Sequence, residues 1–236
     1  MKPSSNKVPM HIGIILDGNR RFAHRLMLKP WKGHEWGARK LEKLFEWCNE
    51  LDIKELTLYA FSVQNFNRPK EEFEYLMDLF RKEFDNYKDN PNIHEKKIRI
   101  NVIGRIWMFP KDIQEKMHEI MEKTKNYSDH IVNFAMAYGG REEVMDAVKK
   151  ISEQIKQGKL SVEEINENTF SKNLYLENEP DLIIRTGGEK RTSNFLIWQS
   201  HYSEWFFLEK HWPEFEKEDL IDVIDEYKQR DRRFGK

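Results

Sequence analysis

Cysteine is nearly absent from this chain: Cys48 is the only one in 236 residues. That excludes an intrachain disulfide framework and a four-thiolate zinc site. Cys48 falls in a helical apolar pattern, which suits a packed structural thiol. An excess of charge is also missing. Lysine and arginine total 40 against 41 aspartates and glutamates, a formal net charge of -1. The chain as a whole therefore carries no nucleic-acid signature, and any anion site must be built by local placement. No run of 18 apolar residues occurs, and the opening MKPSSNKVPM has no apolar stretch of the signal-peptide kind. A cytoplasmic location is expected, which still allows contact with a membrane from one side. Two phosphate-binding patterns are missing as well. There is no GxxxxGK[ST], which argues against a Walker-type nucleotide site, and no GxGxxG after the first strand, which weakens a dinucleotide reading. An aspartyl-phosphatase site would want a second aspartate two places after Asp17, where Asn19 stands.

Aromatics, by contrast, make up 13% of the chain, with seven tryptophans and fifteen phenylalanines. They suit an ordinary core and would equally suit a large apolar cavity. Apolar periodicity alternates along the chain. Strand-like runs stand at 11–16, 55–61, 97–104, 130–140, 181–188 and 204–208. Between them, helical spacing appears in Leu41, Leu44, Phe45, Cys48 and Leu51, then in Phe73, Leu76, Met77, Phe80 and Phe84. A further helix is expected from Pro110 to about Lys125, another through Val144, Ala147, Val148, Ile151 and Ile155, and a polar one at the C-terminus. At least five alternations predict an α/β fold, a mostly parallel sheet flanked by helices on both faces. No composition break or internal repeat divides the chain.

In such sheets ligands bind beyond the carboxyl ends of the strands. Those ends read DGNRR (17–21), FSVQNFNR (61–68), YGGR (138–141) and RTGGEKRTSN (185–194). Arginine makes bidentate contacts with phosphate oxygens, and glycine lets backbone N–H groups approach an anion. Asp17 is the one carboxylate of the first cluster, suited to Mg²⁺, which binds through one or two carboxylates plus substrate phosphates. Each piece alone has a plainer explanation. Asp-Gly-Asn is commonly a turn, Arg20 and Arg21 suit a solvated helix start, the glycine pairs suit helix-entry turns, and Arg185 to Arg191 suits a charged loop. Their conjunction at several strand ends is what points to one site.

These segments resemble the cis-prenyltransferases, the undecaprenyl and dehydrodolichyl diphosphate synthase family. The match is carried by HIGIILDGNRRFA, Gly33-His34, YAFSVQNFNRP (59–69), MAYGGREE (136–143) and DLIIRTGGEKRTSNFLIWQSHYSEWFF (181–207), in family order over nearly the whole chain. The DGNRR form is similar to archaeal and eukaryotic members. The resemblance implies one catalytic domain over residues 1–236, with a hydrophobic tunnel beside the sheet. It implies Mg²⁺-dependent addition of isopentenyl diphosphate units to an allylic prenyl diphosphate, giving a long-chain polyprenyl diphosphate, precursor of a glycosyl carrier lipid. Asp17 would hold the metal, with Glu204 as a second metal-linked carboxylate. Gly18, Asn19, Arg20, Arg21 and His34 would cradle the allylic diphosphate, and Phe22 would contact its first isoprene units. Ser62, Gln64, Asn65, Phe66 and Arg68 match a loop that closes over both substrates. Asn65 stands at the position linked with proton removal, although a diphosphate oxygen is the stronger base. Arg185, Arg191, Thr192 and Ser193 match the isopentenyl diphosphate site. For Phe73, Leu76, Phe80 and Phe84, core packing and tunnel lining are both open.

Three positions depart from the common pattern. Gln64 replaces a glutamate, Lys190 stands in place of a metal-linked histidine, and Pro30 replaces an arginine, with Lys29 as its substitute. The tail 228–236 carries Arg233-Phe234-Gly235, which resembles the RxG motif of catalytic subunits. It implies a homodimer in which each tail completes the neighbour's isopentenyl diphosphate site. Peripheral membrane contact for product release is also expected. Two alternatives stay open: a related prenyltransferase with a different acceptor or linkage, and a non-catalytic subunit of a heteromeric synthase. The intact Asp17 argues against the second.

Overall fold

The computed structural model describes residues 8–230. The strands are β1 (His11–Ile15), β2 (Glu55–Ser62), β3 (Ile98–Ile103), β4 (His130–Tyr138), β5 (Leu182–Arg185) and β6 (Glu204–Phe207). The principal helices are α1 (Asn19–Arg25), α2 (Gly33–Glu50), α3 (Lys70–Asp89), α4 (Pro91–Glu95), α5 (Lys111–Thr124), α6 (Gly140–Lys156), α7 (Glu167–Ser171) and α8 (Lys217–Gln229). The six strands form one sheet in the order β3-β4-β2-β1-β5-β6, every neighbouring pair parallel. β1 and β5 lie side by side, with Ile15 opposite Arg185, so the turns after both strands open at the same edge.

Alternate residues of the strands feed opposite faces, as the pleat requires. Ile12, Ile14, Leu56, Leu58, Leu182 and Ile184 join the main core. Ile15 and Ile183 join a smaller core with Tyr138, Leu176, Phe195 and Leu196 on the other face. Burial on both faces is why these strands read as continuous apolar runs. The main core is closed by α2, α3, α5 and α8, whose buried residues recur at helical spacing, as in Leu41, Leu44, Phe45 and Cys48. A fully buried isoleucine such as Ile14 contributes roughly 1.5–3 kcal/mol, and truncating it to alanine would cost about 2–5 kcal/mol.

Two details differ from the sequence expectation. α2 starts at Gly33, eight residues before Leu41, the first residue of its apolar period. α1 is an additional short helix over the DGNRR cluster. The two pack so closely that a Cβ on Gly33 would lie 1.9 Å from the carbonyl oxygen of Asn19. Among the described residues no helix is long and apolar enough to cross a membrane. Arg233 and Gly235 lie outside the described residues.

Candidate active site

β1 delivers Asp17 to the carboxyl edge of the sheet, and β5 delivers Arg185 beside it. Arg185 Nη2 donates to Asp17 Oδ2 at 2.8 Å, and Arg21 Nη2 to Oδ1 at 3.1 Å. The Gly18 N–H donates to Oδ1 at 2.6 Å. Arg185 is only 4% exposed and also donates to Ser193 Oγ and the Arg191 carbonyl. Arg21 reaches the Gly187 carbonyl, and the Thr186 hydroxyl donates to the Asp17 carbonyl. Burial pushes the Asp17 carboxyl upward, but the hydrogen bond and charge of Arg185, the charge of Arg21 and the Gly18 N–H outweigh it. Asp17 is held below its ordinary value and stays ionised. Two glycines are needed here. Gly18 sits at φ 103° with its missing Cβ under 3 Å from His211, and Gly187 at φ 89° leaves room for Arg21.

A second cluster forms where the 63–67 turn meets α3. Glu72, 1% exposed, takes Arg68 on one oxygen, with His34 Nε2 at 3.6 Å and Arg20 Nε at 3.8 Å. The close approach of His34, the charges of Arg68 and Arg20 and the hydrogen bond from Arg68 overcome the burial penalty and hold the Glu72 carboxyl at about 2. Burial lowers His34, and Arg68 and Arg20 add to that against the pull of Glu72. Glu72 thus anchors three basic groups around one point. Nothing in the apolar pattern marks it. The i,i+4 spacing of Arg68 and Glu72 across Pro69 is the signal that could have found it.

Two cavities meet at these clusters. One, of about 450 Å³, is lined by Gly18, Arg20, Arg21, His24 and Pro30. The other, of about 680 Å³, runs between α2, α3 and the sheet along Leu41, Leu76, Phe80, Phe84, Phe134 and Met136. Leu16, Asp17, Asn19, His34 and Arg68 line both. A basic cradle therefore opens directly into an apolar tunnel. Among the described residues no group of three or more His, Cys, Asp or Glu is placed to hold a metal by itself.

A family model described as "Putative undecaprenyl diphosphate synthase" matches residues 15–235. The chain belongs to the undecaprenyl diphosphate synthase family, and it is a cis-prenyltransferase. Its sequence is 46% identical to a Methanopyrus kandleri protein over 237 residues, covering all of this chain and 88% of that one. It is 47% identical to a Pyrococcus horikoshii protein, covering all of this chain and 90% of that one. Both are named tritrans,polycis-undecaprenyl-diphosphate synthase (geranylgeranyl-diphosphate specific). Lavandulyl diphosphate synthase from Lavandula x intermedia, solved with dimethylallyl diphosphate, superposes with a TM-score of 0.92. It is 32% identical, covering 97% of this chain and 99% of that one. A "probable undecaprenyl diphosphate synthase" from Campylobacter jejuni gives 0.82 at 33% identity, covering 98% of this chain and all of that one.

Within this cis-prenyltransferase the expected site residues divide. Asp17, Gly18, Asn19, Arg20, Arg21, His34, Arg68, Arg185, Arg191 and Ser193 converge on the two cavities, with Ser62, Gln64 and Asn65 at the tunnel wall. The Asn65 amide oxygen is committed to the backbone N–H of Ser62 at 2.9 Å, so it caps its turn. Leu76, Phe80 and Phe84 line the tunnel. Phe73 instead packs on Phe66, which also meets Phe61 edge-on and Phe109 at a tilt. Phe22 turns inward onto Trp36, Lys29 is exposed and paired with Glu71, and Thr192 is exposed; none of the three lines either cavity. Glu204 is not brought to Asp17 within the chain. It opens β6 opposite Leu182, three residues or about 10 Å short of the Arg185 level. There it pairs with Arg230 at 2.7 Å. A carboxylate that sequence reasoning missed, Glu189, lies between Arg21 at 3.7 Å and Arg191 at 2.5 Å.

Proposed function

We propose that this chain condenses isopentenyl diphosphate onto geranylgeranyl diphosphate, with Mg²⁺, to give a long-chain polyprenyl diphosphate, precursor of a glycosyl carrier lipid. The observation that carries the reading is the junction at Asp17, where a basic cradle meets an apolar tunnel. A prenyl diphosphate has those two halves. The relatives' names supply the primer.

The donor set fits magnesium delivered with its substrate. Asp17 is ionised and is the one carboxylate lining both cavities, while a hard cation of this kind keeps phosphate ligands. Asn19 Oδ1 and Arg185 Nε are buried without partners, an acceptor and a donor left over at this point. Asp17 would hold the metal. When bound, it would neutralise charge growing on the leaving diphosphate.

The chain's own groups do the rest. Arg20, Arg21, Arg68 and the Gly18 turn hold the allylic diphosphate and stabilise its departing oxygens. Arg185, Arg191 and Ser193 orient isopentenyl diphosphate so that its alkene faces the developing allylic cation. A new carbon–carbon bond forms as the allylic carbon–oxygen bond breaks, and a proton leaves the former isopentenyl unit. With the Asn65 oxygen occupied, a diphosphate oxygen takes that proton. The tunnel receives the tail after each addition.

Residues 1–236 act as one catalytic domain in this reading, in a homodimer. Arg233 and Gly235 would complete the neighbour's isopentenyl diphosphate site, and Glu204 could reach a metal only in a second copy. The enzyme works in the cytoplasm and releases product at a membrane surface. Incubating the purified chain with Mg²⁺, labelled isopentenyl diphosphate and allylic diphosphates of graded length tests this. A ladder of products primed best by geranylgeranyl diphosphate is expected. A single adduct of another linkage would favour the different-acceptor reading, and no product would favour a non-catalytic subunit.

A further inference from the structure

The YGGR motif at the end of β4 has no part in the reaction described above. Tyr138, Gly139, Gly140 and Arg141 line neither cavity. Their backbone is turned instead to one residue of the 192–196 loop. The Gly140 N–H donates to the Asn194 carbonyl at 2.7 Å, and the Arg141 N–H to Asn194 Oδ1 at 2.9 Å. Asn194 Nδ2 in turn donates to Glu142 Oε2 at 2.8 Å. Asn194 thus occupies two N–H groups of the first turn of α6, groups that have no acceptor inside the helix. The approach is close. A Cβ on Gly139 would lie 2.7 Å from Asn194 Nδ2, and one on Gly140 2.7 Å from Ile197 Cγ1. The glycine pair admits this loop rather than an anion.

The loop needs holding. Ser193, Asn194 and Leu196 stand at φ 50°, 63° and 45°. Asparagine tolerates that left-handed region, but serine and leucine are strained in it, and such strain persists only where the surroundings fix it. Phe195 and Leu196, both fully buried, fix the far side of the loop in the smaller core, where Phe195 stacks on Tyr59 at 4.8 Å. On the cavity side Arg185 Nη1 donates to Ser193 Oγ at 2.6 Å and the Tyr59 hydroxyl to the Ser193 carbonyl at 3.3 Å. Asn194 ties the backbone between these two sides to α6. We propose that Asn194 is a positioning residue: clasped by Glu142 and the first turn of α6, it holds Ser193 in the strained backbone that sets its hydroxyl and Arg185 for isopentenyl diphosphate. This rests on the function proposed above. Both polar atoms of the Asn194 amide are committed, so it acts through its neighbours rather than on the substrate. A loop fixed before binding has little ordering left to do when the diphosphate arrives.

The test reads each substrate separately in the full chain. Asn194→Ala should raise the apparent KM for isopentenyl diphosphate about tenfold, with the allylic KM and the saturated rate within about twofold. Asn194→Gly should do the same, because it relieves the strain but loses the clasp. Glu142→Ala should raise the same KM about threefold, and Glu142→Gln, whose amide oxygen still accepts from Asn194, should restore it. With Asn194→Ala already in place, Glu142→Ala should add nothing further. An unmoved isopentenyl diphosphate KM in Asn194→Ala would overturn the proposal. So would an equal rise in both KM values, the mark of a merely structural loss, or a Glu142→Gln as impaired as Glu142→Ala. If Asn194→Ala does not fold, the Glu142 pair decides alone. Calorimetry with isopentenyl diphosphate needs no turnover and should show the same loss of affinity. Product formation that ignores Asn194→Ala would sink the clasp and leave the function standing. No product, with a weakened affinity for isopentenyl diphosphate in Asn194→Ala, would do the reverse.

Discussion

The two ends of this sheet carry polar clusters of opposite fate. At the start of the strands, His11, Glu55, Thr57 and Asn133 are buried on one face. His11 Nε2 meets Thr57 Oγ1 at 2.8 Å, and Asn133 Nδ2 donates to Glu55 and Thr57 at 2.7 and 3.0 Å. Asn178 donates to the other Glu55 oxygen, and Asn101 to Asn133. None of these residues lines either cavity. At the far end, Asp17, Arg21, Arg185 and Arg191 also bond to one another, but they do so around open space. A network enclosed between strands ties them together, whereas one that borders a cavity can take up a ligand. Polar burial alone does not mark a site; a polar cluster that borders a cavity does.

The comparison breaks first at Glu72, which belongs to both kinds. Glu72→Ala leaves Arg68 and Arg20 without their carboxylate, and a loss of about 3–5 kcal/mol in stability is expected. Turnover should fall with it, because Arg68 and His34 lose their anchor. Denaturant melts and initial rates check both. The acid limb gives a second handle. Glu72 is held at about 2 against an ordinary 4.5. A depressed carboxyl contributes its stability fully above the unfolded value and loses it as pH falls through the folded one. About 3 kcal/mol should therefore disappear between pH 4.5 and about 2, and Glu72→Gln should flatten that limb of an acid denaturation curve. An unchanged limb would remove Glu72 from the account.

At the closed end, Asn133→Ala should cost about 1–3 kcal/mol of stability by leaving Glu55 and Thr57 short of a donor. Its condensation rate should stay within twofold below the melting transition. A large loss of rate without a loss of stability would reverse the assignment of the two ends. At the open end, Arg191→Ala should raise the apparent KM for isopentenyl diphosphate about tenfold, a difference of ~1.4 kcal/mol. The allylic KM should hold. Arg185→Ala should do the same and also lower the melting temperature, since Arg185 is buried against Asp17 and Ser193. The smallest effect is expected at Lys29→Ala. Its exposed pair with Glu71 contributes at most ~1 kcal/mol, and rates should change less than twofold. A tenfold loss would restore Lys29 to the cradle.

How much of this was legible differs by scale. The strands announced themselves because double-sided burial leaves continuous apolar runs, and α2, α3, α5 and α6 because one face of each is apolar. α1 was hidden: seven residues of NRRFAHR bury only Phe22 and Ala23, too few to show a period. Residues at strand ends were legible because topology places them, and motif resemblance named most of the polar residues that line the cavities. Side-chain direction was not legible. Phe22 and Phe66 turn into aromatic packing, and Glu204 stands at the opposite end of its strand from Asp17. Glu72 and Glu189 were overlooked because a carboxylate in a charged stretch looks like solvated surface until its partners are placed around it.

The central claim is that Asp17 stands where diphosphate chemistry meets the tunnel. Single-turnover condensation by Asp17→Asn tests it most directly, because the amide keeps an oxygen for Arg185 and should spare the fold. At saturating Mg²⁺ the first condensation should slow at least about a hundredfold, a barrier increase of about 2.7 kcal/mol, with the melting temperature nearly unchanged. A variant that condenses within a few-fold of the wild-type rate would contradict the account.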